Sequence, residues 1–203
     1  MKNLVLILAL VVTSFASAQK FEEGMGRALT IWKDGKPDEA SALLERIAAA
    51  EPNSWLPNYY VALINTTQAF SNPGKIDALL EKAQAALDVE MAKDPANVEL
   101  LVVQAMAYTA RIASDPMSYG MSYSPRVMEA YAKALIIDPA NPRAVLGKAE
   151  FDFHSAPYTG ADTKPICGRI DRAIELFATF KPASELHPKW GLDRAVEIRK
   201  NCK

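Results

Sequence analysis

The sequence has 203 residues, a formal net charge of -1 and no block of Lys and Arg. It therefore lacks the clustered cations that non-specific nucleic-acid binding uses to displace counterions, and no nucleic-acid partner is expected. Hydrophobic residues make up 50% of the chain, but alanine inflates that figure and the aromatics are spread out, a composition of closely packed helices.

Lys2 precedes the apolar run from Leu4 to Val12, which Thr13, Ser14 and the small residues Ala16-Ser17-Ala18 follow. This is the pattern of a secretory signal peptide over residues 1–18, with cleavage expected before Gln19. The run is roughly half the length a membrane-crossing helix needs, and no later segment approaches that length, so no membrane span is expected. The short basic start and the A-x-A site point to a periplasmic or secreted protein. Cleavage leaves about 185 residues, enough for one domain or one short repeat array spanning 19–203. Because Lys2 is the only charged residue removed, the formal charge becomes -2.

Apolar residues recurring at helical spacing predict helix pairs at 20–34 with 37–50, 55–70 with 75–93, 98–113 with 125–137 and 143–154 with 166–180, then a last helix at 189–201. Between them recur Glu51-Pro52-Asn53, Asp94-Pro95-Ala96-Asn97 and Asp138-Pro139-Ala140-Asn141, their prolines 43 and 44 residues apart. Proline cannot continue the helix before it, and the Asn or Ser beyond is placed to cap the helix after it. Ten residues past each proline stands an alanine, Ala62, Ala105 and Ala149, and Ala28 precedes Ala62 by 34 residues. Twelve residues before the three prolines stand Ala40, Ala83 and Val127.

These residues resemble the tetratricopeptide-repeat family, whose unit of about 34 residues pairs two antiparallel helices with small residues at their crossing. Gly35 at the first turn, Ala40-x-x-x-Leu44 and Pro52 fit the first unit; Leu101, Ala105, Tyr108, Ala134-Leu135 and Pro139 fit the third. The second and third units carry about nine and ten extra residues between their helices. The resemblance implies an all-α solenoid of about four such pairs plus a capping helix, and a tendency to bind proteins without any single activity. The segments Asp115-Pro116-Met117-Ser118, Asn141-Pro142-Arg143-Ala144 and Leu186-His187-Pro188-Lys189-Trp190-Gly191 further resemble a group of secreted tetratricopeptide proteins of Bacteroidetes.

In this family the first helices of successive repeats line a concave groove. The resemblance therefore implies groove positions at Met25, Leu29, Trp32 and Lys33; Tyr59, Leu63, Thr66 and Thr67; Val102, Met106, Thr109 and Ala110; and Leu146, Glu150, Phe153 and His154. Spacings of three, four and seven residues place each set on one helix face independently of the resemblance. Such a surface suits an apolar peptide or helix, and a protein or peptide partner is expected. The alternative is a small-ligand or glycan-binding accessory, which would gather the aromatics Trp32, Tyr59 and Phe153.

The segment 116–125 repeats Met-Ser-Tyr and is expected as a loop. Met117, Tyr119, Met121 and Tyr123 there are a candidate contact surface; the alternatives are an insertion that packs against its own repeat and, as a minor reading, thioethers acting as soft ligands to Cu(I). Residues 154–165 form a second expected insertion. His154 and His187 are the only histidines, and neither stands in a nucleophile triad or metal-ligand pattern. No catalytic residue, metal site or cofactor is implied, and a non-enzymatic role is expected. The two cysteines are expected to pair: with 166–180 and 189–201 as an antiparallel hairpin, Cys167 and Cys202 fall at the same end.

Overall fold

The computed structural model describes residues 19–202, which form nine helices and no strand. They are α1 at residues 19–33, α2 Pro37–Ala50, α3 Leu56–Ser71, α4 Ile76–Lys93, α5 Val98–Ser114, α6 Pro116–Ile137, α7 Pro142–Thr159, α8 Thr163–Thr179 and α9 Leu192–Arg199. The expected signal peptide lies outside the described residues.

The repeated Asp-Pro-Ala-Asn turn works at both of its ends. Asp94 and Asp138 close α4 and α6, and their side chains accept from the backbone N–H of Ala96 and Ala140, each at 3.0 Å. Asn97 and Asn141 then cap α5 and α7, each accepting from two backbone N–H groups that the helix itself leaves unpaired. Ser54 does not play this part, because α3 starts from Trp55 without a side-chain cap. At the first turn Gly35 takes a φ of 80°, and its N–H donates to the Trp32 carbonyl at 2.9 Å.

Ala28, Ala62, Ala105 and Ala149 are fully buried, as are Ala40, Ala83 and Val127. Small side chains at these positions let the backbones approach, which produces an all-α, solenoid-like stack: α3, α5 and α7 touch in an inner row, and each packs on the next helix in sequence, α4, α6 and α8. Met25, Ala28 and Trp32 bring α1 into the same core as α3.

Three expectations are corrected. Residues 116–125 are not a loop: α6 is continuous through them, with Asp115 accepting from the N–H and hydroxyl of Ser118 at its N-terminus. Pro125 inside the helix forfeits a backbone hydrogen bond, but packing of Tyr119, Tyr123 and Tyr108, with ring centroids 5.7 and 5.8 Å apart, holds the added turns. Arg111 and Arg126 lie over the Tyr119 and Tyr123 rings. Residues 154–159 likewise extend α7, which stops at Gly160 with a φ of 71°, so the second insertion shrinks to a short turn. The last helix is shorter than expected, since 180–191 runs irregularly before α9 begins.

That irregular strap crosses the molecule and docks on α3. The Trp190 indole N–H donates to the Tyr59 hydroxyl at 2.8 Å, the Tyr60 hydroxyl donates to the Leu186 carbonyl at 2.8 Å, and the His187 ring meets Trp55 edge to face. Cys167 and Cys202 are joined by a disulfide, their Cα atoms 5.8 Å apart, and so tie the end of α9 to the start of α8. Closing that loop restricts the unfolded chain, a contribution of up to about 4 kcal/mol. Replacing Trp190 by Phe should cost about 1 kcal/mol for the lost hydrogen bond, and by Ala about 3–5 kcal/mol for the vacated volume, as read by urea unfolding of the oxidised protein.

Burial raises the pKa of the three tyrosines of the core: Tyr60 is pushed up to about 12, and Tyr59 and Tyr131 also rise, the Glu99 carboxylate adding to the effect at Tyr59 and Glu150 at Tyr131. Each is neutral in the fold where the unfolded chain, with an ordinary value of 10.0, would ionise. Their contribution to stability is therefore complete below about pH 10 and is lost as the pH climbs through the raised values. Alkaline titration should show Tyr59, Tyr60 and Tyr131 developing phenolate absorbance only with unfolding, and a melting temperature that falls steadily above pH 10.

Candidate functional site

The inner row faces an open groove of about 1920 Å³. Its floor comes from Trp32 on α1, Leu63 and Phe70 on α3, Val102, Met106 and Ile112 on α5, and Leu146 and Phe151 on α7. Trp32, Phe70 and Ile112 stand four, eight and seven positions beyond the buried Ala28, Ala62 and Ala105, one or two turns along the same helix faces. Met117, Met121 and Met128 of α6 line the groove from its rim, as do Tyr158 at the end of α7 and Pro165 in α8. Trp190 and Gly191 of the strap stand in the wall.

Charged side chains edge the groove near α7, and they come in pairs. Lys148 Nζ is 2.6 Å from Asp152, Arg169 is 2.8 Å from the same carboxylate, and Arg194 Nε donates to Glu150 at 2.8 Å. These pairs are partly exposed, and solvent screening keeps their contribution to stability modest. Beneath the wall, Arg143 is fully buried and grips Glu99 with two parallel bonds, Nε to Oε2 at 2.6 Å and Nη2 to Oε1 at 2.7 Å. Asn141 donates to the same carboxylate at 2.8 Å. The guanidinium carbon lies 4.5 Å from the Phe180 ring centroid and 5.9 Å from that of Trp190, so the strap rests on this ion pair. Nη1 finds no acceptor among the described residues, and the two rings flank the guanidinium in place of one.

The groove brings together part of the surface read from the sequence. Trp32, Leu63, Thr67, Val102, Met106, Thr109, Leu146, Glu150 and His154 line it, as do Met117 and Met121. Met25, Tyr59 and Thr66 do not: all three are fully buried, because Trp190 and Leu186 pack on the core to which Met25 and Tyr59 belong. Leu29 packs on that same core, Ala110 is buried in a core shared with Leu79 and Ala107, and Phe153 packs on the cluster around Ile170. Lys33 is exposed and off the lining, while Tyr123 turns to Tyr108 and Tyr119 packs on Tyr123. Sequence reasoning missed Phe70, Ile112, Met128, Phe151 and Trp190. Phe70 and Ile112 were within reach, seven residues beyond Leu63 and six beyond Met106 on continuing helices; Trp190 was not, since its place depends on a chain reversal.

Fold and site define an all-helical, solenoid-like chain with an apolar groove bounded by a C-terminal strap. Among solved structures it is similar to the HusA haemophore from Porphyromonas gingivalis, a Bacteroidetes bacterium, with a TM-score of 0.82 and 25% sequence identity over 90% of this chain and 92% of that one. No protein-family model matches the sequence, and no curated protein matches it. The likeness overturns the expectation of a protein or peptide partner, because a haemophore carries haem, a small ligand. The groove agrees with the correction: the strap covers the α1–α3 end where a peptide would have lain along Met25 and Tyr59.

Replacing Glu99 by Gln leaves Arg143 buried without its counter-charge and should destabilise the protein by about 3–5 kcal/mol. The double change Glu99→Leu with Arg143→Met should cost less than the single one, a difference measurable by urea unfolding.

Proposed function

We propose that this chain is an exported, non-enzymatic carrier of a haem-type tetrapyrrole held in the inner groove. The observation that carries the reading is an apolar groove, walled at one end by Trp190, on a chain that shares its fold with a haemophore over nine-tenths of its length. A flat macrocycle buries two apolar faces, and the floor of Trp32, Leu63, Val102 and Met106 offers the matching surface. Its carboxylates need a polar edge, which Lys148, Arg169 and Arg194 supply on the α7 side. The neighbour is a carrier rather than a catalyst, in keeping with a non-enzymatic chain. Export is supported by the Cys167–Cys202 bridge, which an oxidising compartment sustains, and by the N-terminal signal pattern. No described helix is long and apolar enough to cross a membrane.

A glycan would require stacked aromatic platforms, and the three aromatics considered for that role are dispersed. Trp32 lines the groove, Tyr59 is buried under Trp190, and Phe153 faces another cluster. The small-ligand form of that alternative is the one retained.

Titration of the mature, oxidised protein with haem should give saturable quenching of Trp32 and Trp190, together with a shifted Soret band. Met106→Asp places a carboxylate on the floor and should weaken affinity by about tenfold or more while leaving the helical circular dichroism in place. Absence of saturable binding, or full affinity in the folded variant, rejects the proposal.

A further inference from the structure

Met117 and Met121 are 93% and 94% exposed, and Met128 is 41% exposed, yet all three face the groove. Spacings of four and seven residues align them on one side of α6. The fold has no evident use for the first two. The buried residues of α6 begin at Val127, and the turns before it are held by Tyr119 and Tyr123 against Tyr108 on another face. Large apolar side chains standing in water at the mouth of an apolar groove, without a packing role, mark a contact surface. A leucine would supply similar apolar area; what methionine adds is an adaptable chain and a thioether that oxidants attack.

We propose that Met117 and Met121 are an oxidation site that controls how tightly the groove holds its ligand. The proposal rests on the groove reading above. In the reduced form the two thioethers fold over the outer face of the bound ligand. A peroxide-class oxidant meets them first, since Met128 is less than half as exposed, Met91 and Met106 are partly buried and Met25 is fully buried. The sulfur lone pair attacks one peroxide oxygen, the O–O bond breaks, and the departing hydroxide takes up the proton released from the transferred oxygen. Each thioether is oxidised by two electrons to the sulfoxide, and the peroxide is reduced to water. The sulfoxide is polar and favours solvent over an apolar ligand face, so the lip opens. Methionine sulfoxide reductases reverse the change, which makes the control reversible.

The test treats the folded, disulfide-bonded protein with hydrogen peroxide, removes the oxidant, and then titrates with haem. Peptide mass spectrometry should find one added oxygen on Met117 and on Met121 before Met25, and haem affinity should fall by about tenfold or more with the melting temperature unchanged. The M117L/M121L variant, compared only with itself, should show the same haem affinity before and after peroxide. Unchanged affinity in the oxidised protein overturns the proposal, as does an equal loss in the leucine variant, which would place the sensitive group elsewhere. If untreated protein fails to bind haem at all, the groove reading itself falls and takes this proposal with it.

Discussion

The buried contact between Arg143 and Glu99 is the constraint on which the rest of the molecule depends. It joins the starts of α5 and α7, two successive members of the inner row, through a bidentate ion pair that no solvent reaches on the arginine side. A charge so placed is costly unless every partner is present. Here the partners include the two rings of the strap, so the ion pair and the strap need each other. Through Trp190 the same cluster reaches Tyr59 on α3, and three levels of the stack are thereby fastened from one point.

Fastening matters because a stack of helix pairs has only nearest-neighbour contacts along its length. The strap adds contacts between residues more than a hundred positions apart, and the disulfide keeps its far end from fraying. The same contacts shape the groove. Where the strap lies, positions that would otherwise face the concave side become core; where it ends, the inner row remains open and apolar. A continuous trough is thus converted into a bounded site.

The extension of α6 shows a related division of labour on a single helix. Its tyrosines pack inward against Tyr108 and the guanidinium groups of Arg111 and Arg126, which frees the methionines on the other side from any part in holding the helix. The side chains that hold these turns and the methionines that stand in solvent are therefore on different faces of the helix.

Local rules were enough for much of this. The Asp-Pro-Ala-Asn turns, the alanines at helix crossings and the period of the apolar residues depend on neighbours within a few turns, and from them the helix pairs and the all-α stack could be read. The disulfide was legible too, because a hairpin of two helices fixes which ends meet. Part of the groove surface followed from the same periodicity, as Leu63, Val102, Met106 and Leu146 show. What periodicity could not tell was whether a concave position stays open: Tyr59 and Leu63 lie four residues apart on one face, and only the returning strap makes the first core and leaves the second as floor. Pro125 misled for a similar reason, since a local helix breaker was outweighed by ring packing from α5. Helices, turns and crossings were set by short-range sequence, whereas the closed end of the groove and its lip came from contacts between residues far apart in the chain.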